Sequence, residues 1–338
     1  MKVEGPLLVD DPLDAGPVAH RLEQLGYDGA FTFEGRHDPF FPLLAAAGQT
    51  EKIELTTAVA IAFARNPMIL AGIGYDLQLA SKGRFILGLG TQIKPHIEKR
   101  FSMTWSKPRA RMRELIRAIH AIWDCWEDGG RLDFRGEFYR HTLMTPIFSP
   151  GPNPHGRPRI FAGGVGESMV ATVSEVADGL IVHPFHTVEF LQQSILPAID
   201  RGLAVADRPR AKFEISCQLI MAAGETEEQI TAAKDAARMQ IAFYASTPAY
   251  RPVLDCHGLG DIQLEANRLS KEGRWLDMGA LIDDELLDRI AIVGHADEVA
   301  VKVRARCEGV ADRVSLSSPV AADPSLWADA VRSLHADG

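Results

Sequence analysis

Short apolar runs alternate with longer stretches whose apolar residues recur at helical spacing, and this alternation holds along the whole chain. A run without internal polar alternation predicts a strand buried on both faces. A helical stretch between two such runs predicts a parallel crossover, and repeated crossovers predict a parallel sheet covered on both sides. Strands are expected at residues 2–9, 30–33, 53–58, 85–89, 159–162, 179–183, 213–221 and 313–317. Helices are expected at 13–25, 41–48, 67–80, 108–126, 168–177, 188–202, 225–245, 296–307 and 325–335.

Eight strand-then-helix units fit an α/β fold closed on itself, a (β/α)8 TIM barrel, with a nine-stranded open sheet as the rival arrangement. Three segments break the rhythm. Residues 93–107 are irregular. Residues 131–158 hold a hairpin pattern around Gly136 and then a loop rich in Pro and Gly. Residues 247–284 read as an inserted helical excursion. The insertions therefore fall after strand four and before strand eight. The 338 residues, 46% of them hydrophobic, suffice for one large core, so residues 1–338 read as a single domain.

The formal net charge of −9 is spread along the chain. Without a basic stripe, neither nucleic acid nor an anionic membrane surface is an expected partner, and a small-molecule substrate is. No uninterrupted apolar window approaches the ~18 residues of a membrane span, and the first residues lack a basic, then apolar, leader pattern. Cys125, Cys217, Cys256 and Cys307 are scattered, as expected of reduced thiols in a cytoplasmic protein.

In a barrel of this kind the chemistry gathers where strands end at their C-terminal side. The sequence after strand five, Gly163-Gly164-Val165-Gly166, leads into a helix. Glycines let a backbone approach a ligand closely, and a helix N-terminus offers unpaired amides and a positive dipole end, together a site for a cofactor phosphate. The same glycines also serve as plain strand-to-helix connectors. Glu167 must point away if a phosphate sits there. After strand four, Gly90, Thr91 and Gln92 follow Gly88, leaving room for a flat ring or for tight barrel packing. After strand two, Glu34, His37 and Asp38 form an acid–base cluster. Asp38 and Pro39 also suit the first positions of the next helix, whereas Glu34 sits directly at a strand end and reads as functional. His37 fits either role. His183 and His186 flank Pro184 without a third ligand at metal spacing, so no metal site is expected, and a place at the rim is.

Four pieces in this order, TAVAIAFARNP at 57–67, GRFILGLGT at 83–91, FAGG at 161–164 and ADG at 177–179, resemble the bacterial-luciferase-like superfamily. The nearest resemblance is to the actinobacterial oxidoreductases that use the deazaflavin coenzyme F420, and it covers nearly the whole chain. The resemblance implies a homodimer, with F420, or alternatively FMN, at the barrel mouth. It implies a non-prolyl cis peptide at Ala58–Val59 behind the cofactor ring, with Ala60 beside it. It further implies Glu34 near the reacting part of the ring, and the cofactor phosphate on Gly163–Gly166. The implied activity is hydride transfer between the deazaflavin and a small organic substrate; an FMN-dependent monooxygenase and a non-catalytic flavin-binding protein are the alternatives. Two departures stand out. Gly35 and Ile93 occupy positions where the sugar-phosphate dehydrogenases of this superfamily carry a His and a catalytic Glu, which argues against a sugar-phosphate reaction.

Overall fold

The structure, a computed structural model, describes residues 1–336. Its strands are β1 (Lys2–Pro6), β2 (Gly29–Thr32), β3 (Glu54–Thr57), β4 (Ala60–Ile61), β5 (Phe85–Gly90) and β6 (Phe134–Arg135). They continue with β7 (Arg140–His141), β8 (Arg159–Gly164), β9 (Gly179–Val182), β10 (Glu214–Gly224), β11 (Ala291–His295) and β12 (Arg313–Ser317). Strands β1, β2, β3, β5, β8, β9, β10 and β12 pair in that order, all parallel, and β10 pairs with both β9 and β12. That double pairing closes the ring and rules out the open sheet. Helices follow the strands and pack around the ring, as the alternation requires.

One strand was not foreseen. β11 pairs with residues 220–224 of β10, beyond the part of β10 that contacts β12 at 216–220. It extends β10 above the ring and does not enter it. Its sequence follows the helix Asp284–Ile290 with no intervening turn, so no turn residue marks its start. The hairpin expected in 131–158 is present as the antiparallel pair β6–β7. The excursion at 247–284 is helical, with Arg251–Asp255, Gly260–Lys271 and Trp275–Met278.

Local chemistry sets the helix starts. Asn66 accepts the Ile69 amide and Pro67 stands at the first helical position of Pro67–Ala80. Thr226 and Gln229 form a reciprocal capping box, so that helix spans Glu227–Ala245 and leaves Glu225 outside.

Inside the ring, side chains alternate between the barrel axis and the helices. Ile86, Phe161 and Ile181 meet at the centre, with Ala58 and Val59 above them. The base is polar. Arg313, fully buried, reaches Glu4 at 2.8 Å, Glu54 at 2.9 Å and Glu214 at 2.5 Å. Arg159 pairs with Glu54 at 2.6 Å and also with Glu214, and Lys2 reaches Glu54 at 3.0 Å. Three carboxylates thus face three cations. Burial alone would raise the Glu54 pKa, but Arg313, Arg159 and Lys2 hold it down at about 2.

Candidate functional site at the C-terminal rim

The rim begins with an interruption of the third strand. β3 stops at Thr57, the Ala58–Val59 peptide is cis, and the chain resumes at Ala60 as β4 against Leu89 and Gly90 of β5. Thr57 and Gly88 clamp the neighbouring strands. The Thr57 hydroxyl donates to the Gly88 carbonyl at 2.7 Å and accepts the Gly88 amide at 2.8 Å. A methyl group on Gly88 would lie 1.7 Å from the Thr57 carbonyl oxygen, so only glycine fits.

Val59 links the separate glycine motifs. A methyl group on Gly90 would fall 2.4 Å from Val59, and one on Gly163 would lie 3.7 Å from it. The structure therefore brings Ala58, Val59, Gly90 and Gly163 to one place at one end of the barrel. Thr91 and Gln92 continue from Gly90, with Gln92 in the left-handed backbone region at φ 58°. A non-glycine residue is held there only when its surroundings over-determine it; the Gln92 side-chain oxygen accepts the Ile93 amide at 2.9 Å.

Gly164 ends β8, Val165 is half-buried, and Gly166 is exposed at the N-terminus of Glu167–Val176. No side chain caps that helix, and nothing lies within 4 Å of where a Gly166 methyl group would be. Glu167 does point away, pairing with Arg201 at 2.7 Å. An accessible backbone corner at an uncapped helix start, beside a ledge of small residues, is what a flat ring bearing a phosphate requires.

Glu34 lies beside the cis segment, its amide donating to the Val59 carbonyl at 3.2 Å. Its carboxylate is nearly buried and accepts the Ile61 amide at 2.7 Å and Arg65 at 2.6 Å. Arg65 also reaches Asp38 at 2.9 Å, and Asp38 accepts the Phe40 amide at 2.9 Å. The N-cap of the helix Phe40–Ala47 is Pro39, one residue later than the expected Asp38, so Asp38 serves the cluster from just outside the helix. Burial would lower the Arg65 pKa, but the hydrogen bonds and charges of Glu34 and Asp38 more than reverse this and raise it. The cluster therefore centres on Arg65, which the sequence reading passed over. His37 is exposed, and the Glu34 hydrogen bonds go to Ile61 and Arg65 and not to it.

The insertions close on this rim. Arg100 donates to the Gly35 carbonyl at 3.0 Å, and Trp105 packs edge-on to Phe63, with ring centres 5.7 Å apart. From the other side, Tyr250 lies on the His183 ring at 4.4 Å between centres, and Tyr244 meets it edge-on at 4.6 Å. His257 holds Thr187 at 2.9 Å. Tyr244 and Tyr250 also escaped the sequence reading, for nothing in their local pattern ties them to a strand end. Among the described residues no group of His, Cys, Asp and Glu could hold a metal ion.

A parallel barrel with glycines, a bulged third strand and a bare helix start on its C-terminal rim is the architecture of a cofactor-binding oxidoreductase. The chain belongs to the luciferase-like monooxygenase family, whose sequence profile matches residues 6–313, and it is an oxidoreductase of that family. An uncharacterized protein of Mycobacterium tuberculosis is 54% identical over 300 residues, covering 89% of this chain and 88% of its own length. The 5,10-methylenetetrahydromethanopterin reductase of Archaeoglobus fulgidus is 28% identical over 287 residues, covering 83% and 81%. The solved coenzyme F420 dependent tetrahydromethanopterin reductase of Methanopyrus kandleri superposes with a TM-score of 0.80 at 19% identity, covering 98% of this chain and 96% of that one. No helix among the described residues is long and apolar enough to cross a membrane.

Proposed function

We propose that the protein is an F420-dependent oxidoreductase that moves a hydride between the deazaflavin and a small organic substrate. The observation that carries this reading is the convergence of Gly90 and Gly163 on Val59, next to the open backbone of Gly166. Ala58, Val59, Ala60 and Gly90 would back the ring, Thr91 and Gln92 would border it, and Gly163, Gly164, Val165 and Gly166 would take the phosphate. The bound deazaflavin supplies a carbon that gives or accepts hydride. The chain supplies position and exclusion of water. Glu34 serves as the acid–base group, oriented by Arg65, and His37 on the same loop is the second candidate for carrying the proton.

Titration of the purified protein with F420 and with FMN, followed by fluorescence, tests the reading. Tight binding of F420 and weak binding of FMN is expected. Preference for FMN would favour the monooxygenase alternative, and F420 binding without turnover on any substrate would favour a binding protein. A cytoplasmic homodimer belongs to the same reading. Phe41, Leu44 and Ile69 are apolar and exposed, offering a face for it that sedimentation of a Leu44→Glu variant would probe.

A further inference from the structure

The mouth of the barrel is apolar on one side and polar on the other. Ala58 and Val59, above the buried Ile86, Phe161 and Ile181, form the apolar side at the third ring strand. The register places Gly163 opposite Ile181 and Gly164 opposite Val182. Ile181 points to the barrel centre, whereas Val182 joins the outer core. His183 is the first residue past the end of β9, beside the glycine ledge, and continuing the strand's alternation by one residue turns its side chain toward the mouth. Cys217 is opposite Val182, which sets Gln218 next to His183; Gln218 in turn donates to Ser315 at 2.7 Å.

The partners of His183 fix its tautomer. The Phe185 amide donates to His183 Nδ1 at 3.1 Å, and an amide can only donate. Nδ1 is therefore an unprotonated acceptor, and the neutral ring carries its hydrogen on Nε2. The turn is locked from the far side too, because His186 Nδ1 donates to the His183 carbonyl at 2.8 Å. Loss of solvation, with His186 adding to it, pushes the His183 pKa well below the ordinary imidazole range. The ring stays neutral, held between Tyr250 and Tyr244.

We propose that His183 is a substrate-binding residue, donating its Nε2 hydrogen to a carbonyl or carboxylate oxygen on a flat substrate seated in the mouth against Tyr244 and Tyr250. The proposal rests on the functional reading above, in which the ring occupies the ledge next door. It makes His183 a fixed donor and not a proton source, since giving up the Nε2 proton would leave an imidazolate. The favoured substrates are compounds whose reacting carbon bears or adjoins an oxygen acceptor.

Nitrogen-15 NMR of the histidine-labelled full chain reads the tautomer directly. At about pH 6, where an ordinary imidazole is largely charged, His183 should be neutral with hydrogen on Nε2. Acetophenone should move that resonance, and ethylbenzene, the same shape without the oxygen, should not. By calorimetry, His183→Leu should weaken acetophenone binding ~10-fold, the worth of one hydrogen bond, and His183→Gln should recover most of the loss. A hydrogen on Nδ1, a charged ring, no shift with acetophenone, or equal affinities in the wild-type and Leu chains would overturn the inference. F420 titration of the same proteins separates the two levels. Normal F420 binding with any of those results removes the His183 role alone, whereas no F420 binding by the wild-type chain removes the reading beneath it.

Discussion

At the base of the barrel Glu4, Glu54 and Glu214 meet Arg313, Arg159 and Lys2, each charge placed near the start of a strand. At the rim the ring strands end in Gly90, in Gly163-Gly164 and in a backbone bulge at Val59, and the charges of Glu34, Asp38 and Arg65 stand to one side of that ledge. The base uses long side chains that satisfy one another and leave no room for a guest. The rim leaves side chains off, so that backbone, not charge, faces whatever enters. A buried ion cluster is costly to break and adds little when complete, which suits a part that must only hold shape. A ledge of small residues stabilises nothing by itself and makes sense when a ligand covers it.

That contrast predicts that damage at the base costs stability, and damage at the rim costs binding or turnover. The largest effect is expected for Arg313→Met, which removes the cation paired with the buried Glu4 and leaves Glu54 and Glu214 to Arg159 and Lys2. Urea unfolding should show a loss of about 3–5 kcal/mol. A variant as stable as the wild type would mean that the base does not hold the ring together. Glu34→Gln comes next. It should lower turnover about 100-fold or more, the usual reach of a general acid or base, while F420 affinity stays within a few-fold; unchanged turnover would remove Glu34 from the chemistry. Gly166→Asp sharpens the comparison further. Aspartate is a favourable helix cap, so the melting temperature should hold or rise slightly, yet its charge should weaken F420 about 10-fold through repulsion of the phosphate. Equal affinity would move the phosphate elsewhere.

The smallest effect is in acid. Glu54 is depressed from 4.5 to about 2 in the folded chain. A depressed carboxylate contributes stability that is present above its unfolded value and lost as pH falls through the folded one. Unfolding midpoints should therefore decline between about pH 4.5 and pH 2, and Glu54→Gln should flatten that slope. A slope unchanged by the substitution would assign the acid sensitivity to another group.

The two ends also differed in how far the sequence revealed them. The rim glycines were legible because each motif is contiguous, as at 163–166, and because strand ends are where loops must carry function. The ring strands were legible from their apolar runs. Arg65 was not, since it meets Glu34 only through the fold, 31 positions away. The base was invisible for the same reason on a larger scale: Glu4 and Arg313 lie 309 positions apart and meet only once the strands are in register. β11 was missed because a helix runs straight into it. Long-range pairing, not local pattern, is what the sequence withholds.

Hydrogen–deuterium exchange with and without F420 tests the division of labour most directly. Added F420 should slow exchange at residues 58–61, 88–92 and 163–168 and leave the strand starts at 2–4, 214–216 and 313–315 unchanged. Slowing at the strand starts, or none at 163–168, would contradict the assignment of the glycine rim to the cofactor.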